Sequence, residues 1–238
     1  TRLEDLSSEI FYEICDYLDT FHWYHAFSGL NQRFTNLVMS SAVPLKLNLT
    51  CLSESQFEDY ANNYILPQQH RIISLRMTNS VMYDHDLSPH HHFCTFLQLE
   101  TLILEDIPFW DVITVLRDVV SLPNLSTLVL SIVDCVRNGS YIFLPLLRLP
   151  ALKCCHLKFH GDTQCHLLPF ASDEYSPIEQ LILKHPIQFH ELDRILSYVP
   201  QLRRLSLDFP VKADMQYRFQ QSVPLEHFTH LFLTLQDV

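Results

Sequence analysis

With 238 residues, 47% of them apolar, the chain is long enough to fill one large core or two modest ones. A formal charge of -11 and the absence of any basic cluster argue against a nucleic-acid partner, because phosphate binding rests on Lys and Arg displacing counterions. No apolar run reaches the roughly 18 residues of a membrane span, and no signal-peptide pattern is present. Seven cysteines, Cys15, Cys51, Cys94, Cys135, Cys154, Cys155 and Cys165, lie scattered without a disulfide framework, so a reducing cytoplasmic or nuclear compartment is expected.

The acidity is concentrated at the front, where residues 1–60 hold nine Asp or Glu against Arg2, Arg33 and Lys46. In this region Leu6, Ile10, Ile14, Tyr17 and Leu18 keep a helical period, with Glu9, Glu13 and Asp16 between them. Thr20 is placed to cap a second helix carrying Trp23, Ala26, Phe27 and Leu30, with Gly29 near its end. A third begins near Asn31 and bears Phe34, Leu37 and Val38. Three short helices in so few residues need an apolar partner, since chains below about 40 residues rarely fold without help.

The residues Leu6-Ser7-Ser8-Glu9-Ile10, Ile14, Tyr17-Leu18-Asp19, Phe27, Leu30, Arg33-Phe34 and Leu37 resemble an F-box, with Ser7 where that family has Pro and Cys15 where it has Phe. The resemblance implies a module, residues 1–41, that binds the Skp-family adaptor of a cullin-RING ubiquitin ligase. The residues matching the adaptor side are Leu6, Ser7, Ile10, Ile14, Cys15, Leu18 and Trp23.

Beyond it, Pro44 to Leu49 alternates like a strand, and Ser53 to Ile65 has a helical side of Phe57, Tyr60, Ala61, Tyr64 and Ile65. An apolar-x-x-apolar-x-apolar template then recurs. It fits Ile72-Leu75-Met77, Leu99-Leu102-Leu104, Leu125-Leu128-Leu130, Leu152-Cys155-Leu157, Ile178-Leu181-Leu183, Leu202-Leu205-Leu207 and Phe228-Leu231-Leu233, with anchors 27, 26, 27, 26, 24 and 26 residues apart. Leu47-Leu49 reads as an eighth, degenerate copy. Pro123, Pro150, Pro177 and Pro200 stop the preceding helix just ahead of an anchor. Helices are expected over Phe109–Ser121 and His190–Val199, whereas Tyr83–His92, Val136–Leu144 and His160–Ser176 lack helical period and read as loops or short 3₁₀ turns.

This half, residues 42–238, resembles the leucine-rich repeats that often follow an F-box, apart from the usual Asn after the last leucine. The fold expected is α/β: an N-terminal three-helix F-box, then a curved leucine-rich solenoid with a parallel sheet.

Strand alternation sends the residues between the leucines to the opposite, concave face. There Ile103, Val129, Ile182 and Phe232 form an apolar stripe interrupted by His156, with Arg76, Lys158, Lys184 and Arg204 around it, a pattern suited to a protein partner with apolar contacts and acidic flanks. The alternative is ordinary half-exposed sheet surface. The cluster Cys154, Cys155, His156, His160, Cys165 and His166 and the histidines at 85 and 90–92 lack paired zinc spacing, and Cys155 occupies a core position, so no metal or other cofactor is expected.

Three glycines cannot build a phosphate cradle, and no nucleophile elbow or zinc-protease motif occurs, so no enzyme is expected. The function expected from the two resemblances is the substrate-recognition subunit of a Skp/cullin/F-box ubiquitin ligase, with an unidentified protein on the repeats. The alternative is a repeat scaffold for protein interactions whose first helices only cap the solenoid.

Overall fold

Eight parallel strands lie side by side in sequence order: β1 Leu45–Asn48, β2 Ile72–Thr78, β3 Thr101–Ile107, β4 Thr127–Ile132, β5 Cys154–Phe159, β6 Gln180–Pro186, β7 Arg204–Pro210 and β8 His230–Gln236. The computed structural model describes residues 3–15, 17–18, 20–40, 43–50, 52–78, 93–136, 138–160, 168–172, 174–210, 218 and 224–236. Parallel neighbours cannot be joined by a tight hairpin, so each strand end must return across the sheet before the next begins. The repeat of about 26 residues supplies that return path.

The register reproduces the leucine template. Leu47 pairs with Leu75, and the row continues through Leu102, Leu128, Cys155, Leu181, Leu205 and Leu231. A second row runs Met77, Leu104, Leu130, Leu157, Leu183, Leu207 and Leu233. These side chains are buried from β1 to β7, and on β8 Leu231 and Leu233 are half exposed. Cys155 stands in a leucine's place and is fully buried, which pushes its thiol well above the ordinary range.

Seven α-helices are present among the described residues. The first three, α1 Ser8–Cys15, α2 Thr20–Phe27 and α3 Gln32–Val38, fall where the periodicity puts them. Asn31 caps α3, its Oδ1 accepting from Phe34 N at 3.0 Å. Ser7 Oγ accepts from Ile10 N at 3.4 Å, so serine starts α1 without a proline. Thr20 does something other than capping: its hydroxyl donates to Lys46 O at 2.6 Å and ties α2 to β1.

Helix α4, Glu54–Tyr60, opens with Ser53 N donating to Gln56 Oε1 at 3.2 Å. It loosens into a π turn over Ala61–Ile65 and tightens into a 3₁₀ turn over Leu66–Arg71. The buried Arg71 closes this segment, donating from Nε and Nη2 to Val43 O at 2.9 and 2.7 Å and from Nη1 to Gln68 Oε1 at 2.8 Å. Helices α5 Phe109–Val119 and α7 Phe189–Tyr198 match their expected spans to within two residues.

Helix α6, Ser140–Leu147, corrects the expectation of a loop across this stretch. Its sequence, Tyr141-Ile142-Phe143-Leu144-Pro145-Leu146-Leu147, is apolar on nearly every side, so burial leaves no polar face to reveal the period. The segment 168–176, where described, is irregular as expected, and the expected loop over 83–92 lies outside the described residues. Among the described residues no helix is long and apolar enough to cross a membrane.

One continuous apolar core runs from Phe11 through the leucine rows to Leu207. At its front Phe11, Phe27 and Phe34 meet with ring centroids 5.0 to 5.5 Å apart, fastening the three helices to one another. Trp23 and Tyr24 then reach Tyr64 at 6.3 and 4.3 Å, fastening the group to the π turn.

Candidate interaction surfaces

Helix α1 carries two apolar faces. The inner one holds Phe11, 1% exposed, and Cys15, 7% exposed, against the aromatic cluster. The outer one has Ile10 46% exposed and Ile14 half-buried, and in the turn that follows the helix Leu18 is 42% exposed and Tyr17 almost fully exposed. Leu6 is half-buried at its start, where the Arg33 guanidinium donates to Glu4 O at 2.6 Å and also to Leu6 O, pinning the 3₁₀ turn Leu3–Asp5 against α3.

Of the seven residues matching the adaptor side, Leu6, Ser7, Ile10, Ile14 and Leu18 therefore share an accessible strip. Cys15 and Trp23 do not: both are buried, Trp23 at 4% exposure, because the rings of α2 and the π turn need them inside. An open cleft of about 570 Å³ lies between α1, α2 and β1, lined by Tyr12, Cys15, Leu18, Thr20, Trp23 and Lys46 among others.

The second surface is the face of the sheet opposite the leucines. Pairing sets Arg76, Ile103, Val129, His156, Ile182, Ser206 and Phe232 in one row. Thr101, Thr127, Cys154, Gln180, Arg204 and His230 form the row before it. Ile103, Val129 and Ile182 are half-buried by their neighbours, and Phe232 is 58% exposed with His230 stacked beside it at 6.3 Å. His156 lies between Val129 and Ile182 in that row. Its partial burial, then the charges of Lys184 and Lys158, hold its imidazole below the ordinary range, so it is neutral near pH 7.

Some cations here are occupied. Arg76 forks onto Glu105 at 2.8 and 3.2 Å, and Lys184 lies 3.5 Å from the buried carboxylate of Asp208. Lys158 and Arg204 are exposed and have no carboxylate within ion-pair distance among the described residues.

At the ends of β3 and β4 and just past β5, Ser131 Oγ donates to Asp106 Oδ1 at 3.2 Å and sits 3.0 Å from His160 Nε2, which is itself 3.5 Å from the same carboxylate oxygen. A nucleophilic relay needs the carboxylate on the other ring nitrogen, orienting the imidazole toward the serine. Here all three groups close on one point, a triangle that fastens three strand ends. Asp106 adopts a left-handed backbone, φ 56°, to take part. The sequence reading missed this cluster, although Asp106, Ser131 and His160 all fall within three residues of the last leucine in consecutive repeats.

Cys154 points to this outer face and Cys155 into the core, so one ion cannot hold both, and among the described residues no three ligands gather for a metal. The remaining candidates, Cys165, His166 and the histidines at 85 and 90–92, lie outside the described residues. Elsewhere on the exposed surface Glu174 accepts from Arg148 Nε at 2.7 Å.

No protein-family model matches the chain, and no curated protein is similar to it.

Proposed function

We propose that the chain is a substrate receptor of a Skp/cullin/F-box ubiquitin ligase, its first three helices docking the adaptor and its leucine-rich repeats holding a target protein. The observation that carries this reading is the doubly apolar α1. A helix already secured by Phe11 and Cys15 has no folding use for Ile10 and Ile14 on its other side, and with Leu18 exposed in the turn just after it an accessible apolar strip of that kind marks a docking surface. The chain performs no chemistry in this reading. It holds the target beside the ubiquitin donor and turns a bimolecular encounter into a nearly intramolecular one, and the fixed attachment of α2 to β1 through Thr20 and to the π turn through Trp23 suits that task.

A second reading, a repeat scaffold whose helices only cap the first strand, draws on the same buried Trp23. Co-elution separates the two. The receptor reading expects the purified chain to migrate with a Skp-family adaptor and its cullin, and a variant carrying Ile10→Asp and Leu18→Asp to elute alone while melting like the parent. Failure of the parent chain to co-elute selects the scaffold.

A further inference from the structure

We propose that the outer face of the sheet docks an extended segment of acidic-x-apolar-x-acidic pattern, laid diagonally over Lys158, Ile182 and Arg204. This names the class of target in the receptor reading and rests on it.

The first argument is charge segregation. The described outward positions of the strands hold Lys46, Arg76, Lys158, Lys184 and Arg204 against Glu105, Asp208 and, at the irregular end of β3, Asp106, an excess of cations on one face of a chain whose formal charge is -11. Glu105 is matched to Arg76 and Asp208 to Lys184, while Asp106 is held by Ser131 and His160. The surplus is therefore Lys46 at one edge and the exposed pair Lys158 and Arg204 near the middle. Unmatched cations that bracket an apolar residue attract anions and suppress cationic partners.

The second argument is spacing. Lys158 pairs in register with Lys184, two residues past Ile182 on β6, and Ile182 pairs with Ser206, two residues past Arg204 on β7. Each step of the diagonal thus crosses one strand and two residues. With strands about 4.8 Å apart and a rise of about 3.3 Å per residue, a step is about 8 Å. Alternate side chains of an extended peptide are about 6.6 Å apart, and the long Lys and Arg stems cover the remainder. A carboxylate meets Lys158, the next side chain on that face an apolar contact at Ile182, and the one after it the guanidinium of Arg204. Neutral His156 beside Ile182 adds surface without opposing charge.

The test is fluorescence anisotropy with a labelled peptide repeating Glu-Ser-Leu-Ser and its counterpart with Gln for Glu. The proposal expects the Glu peptide to bind about tenfold more tightly than the Gln peptide, Lys158→Glu or Arg204→Glu each to weaken it about tenfold, and added salt to erode it. Arg117→Glu, on α5, leaves it unchanged. Lys158→Gln and Arg204→Gln repeat the measurement where a reversal disturbs folding, as judged by circular dichroism. Equal binding of the two peptides, or binding indifferent to both cations, overturns the proposal. A chain that binds the adaptor and ignores the Glu peptide loses this inference alone. One that binds the Glu peptide in the expected manner and no adaptor supports the docking surface and overturns the ligase reading.

Discussion

His185 occupies a core position of β6 that a leucine would fill, its ring edge-on to Phe159 at 4.5 Å, and neither ring nitrogen has a hydrogen-bond partner. Burial holds the imidazole down to about 4 against an ordinary 6.5, with Asp208 pulling part of the way back. The folded value is below the unfolded one, so between these limits the unfolded chain binds the extra proton. Stability is therefore complete above the ordinary histidine value and is lost as pH falls toward about 4, by about 3 kcal/mol for this group. Urea unfolding across that range should show His185→Leu with a flatter pH dependence than the parent, and a variant that keeps the parental slope would assign the acid sensitivity to other groups. Single residues on the sheet were legible in advance because strand alternation has only two faces. On α1 it was otherwise. Both Ile10-Ile14-Leu18 and Phe11-Cys15 keep a helical spacing, and which set turns inward was decided by Phe27 and Phe34, far along the chain.

Among elements, equal sequence does not mean equal weight. Leu130 on β4 and Leu233 on β8 hold the same position in the repeat, yet the first is fully buried and the second 54% exposed. Leu130→Ala should cost about 3 kcal/mol and Leu233→Ala under about 1 kcal/mol, in chemical unfolding followed by circular dichroism. Similar costs would mean that β8 is covered in solution. Trp23→Ala tests the joint between the helices and the sheet. It opens a cavity against Tyr64 and should cost about 3 kcal/mol or more, with α1 to α3 exchanging amide protons ahead of the sheet. The strands and the amphipathic helices α5 and α7 were legible because their periods are clean. Helix α6 was hidden by an apolar sequence whose polarity carries no period, and the π turn at Ala61–Ile65 by a pattern indistinguishable from that of an ordinary helix.

Across the whole molecule, the apolar core does not stop between the N-terminal helices and the sheet. Arg71 holds the chain at Val43 just ahead of β1, Thr20 holds β1 itself at Lys46, and the aromatic rings of α2 rest on the turn that leads into β2. A ligand held by α1 and one held on the sheet would thus be carried at a fixed separation, as the proposed receptor requires. The sequence repeat made the order and register of the strands legible, since near-constant spacing allows little but sequential parallel pairing. The Ser131, Asp106 and His160 triangle stayed hidden because hydrogen bonds between strand ends have no periodicity of their own. Calorimetric titration of a Skp-family adaptor into the intact chain bears most directly on the central claim. The account predicts binding of about micromolar strength or tighter, abolished by Ile10→Asp with Leu18→Asp and unchanged by Phe232→Asp on the sheet. Absence of binding heat across several temperatures, or binding that survives the Ile10 and Leu18 substitutions, would contradict it.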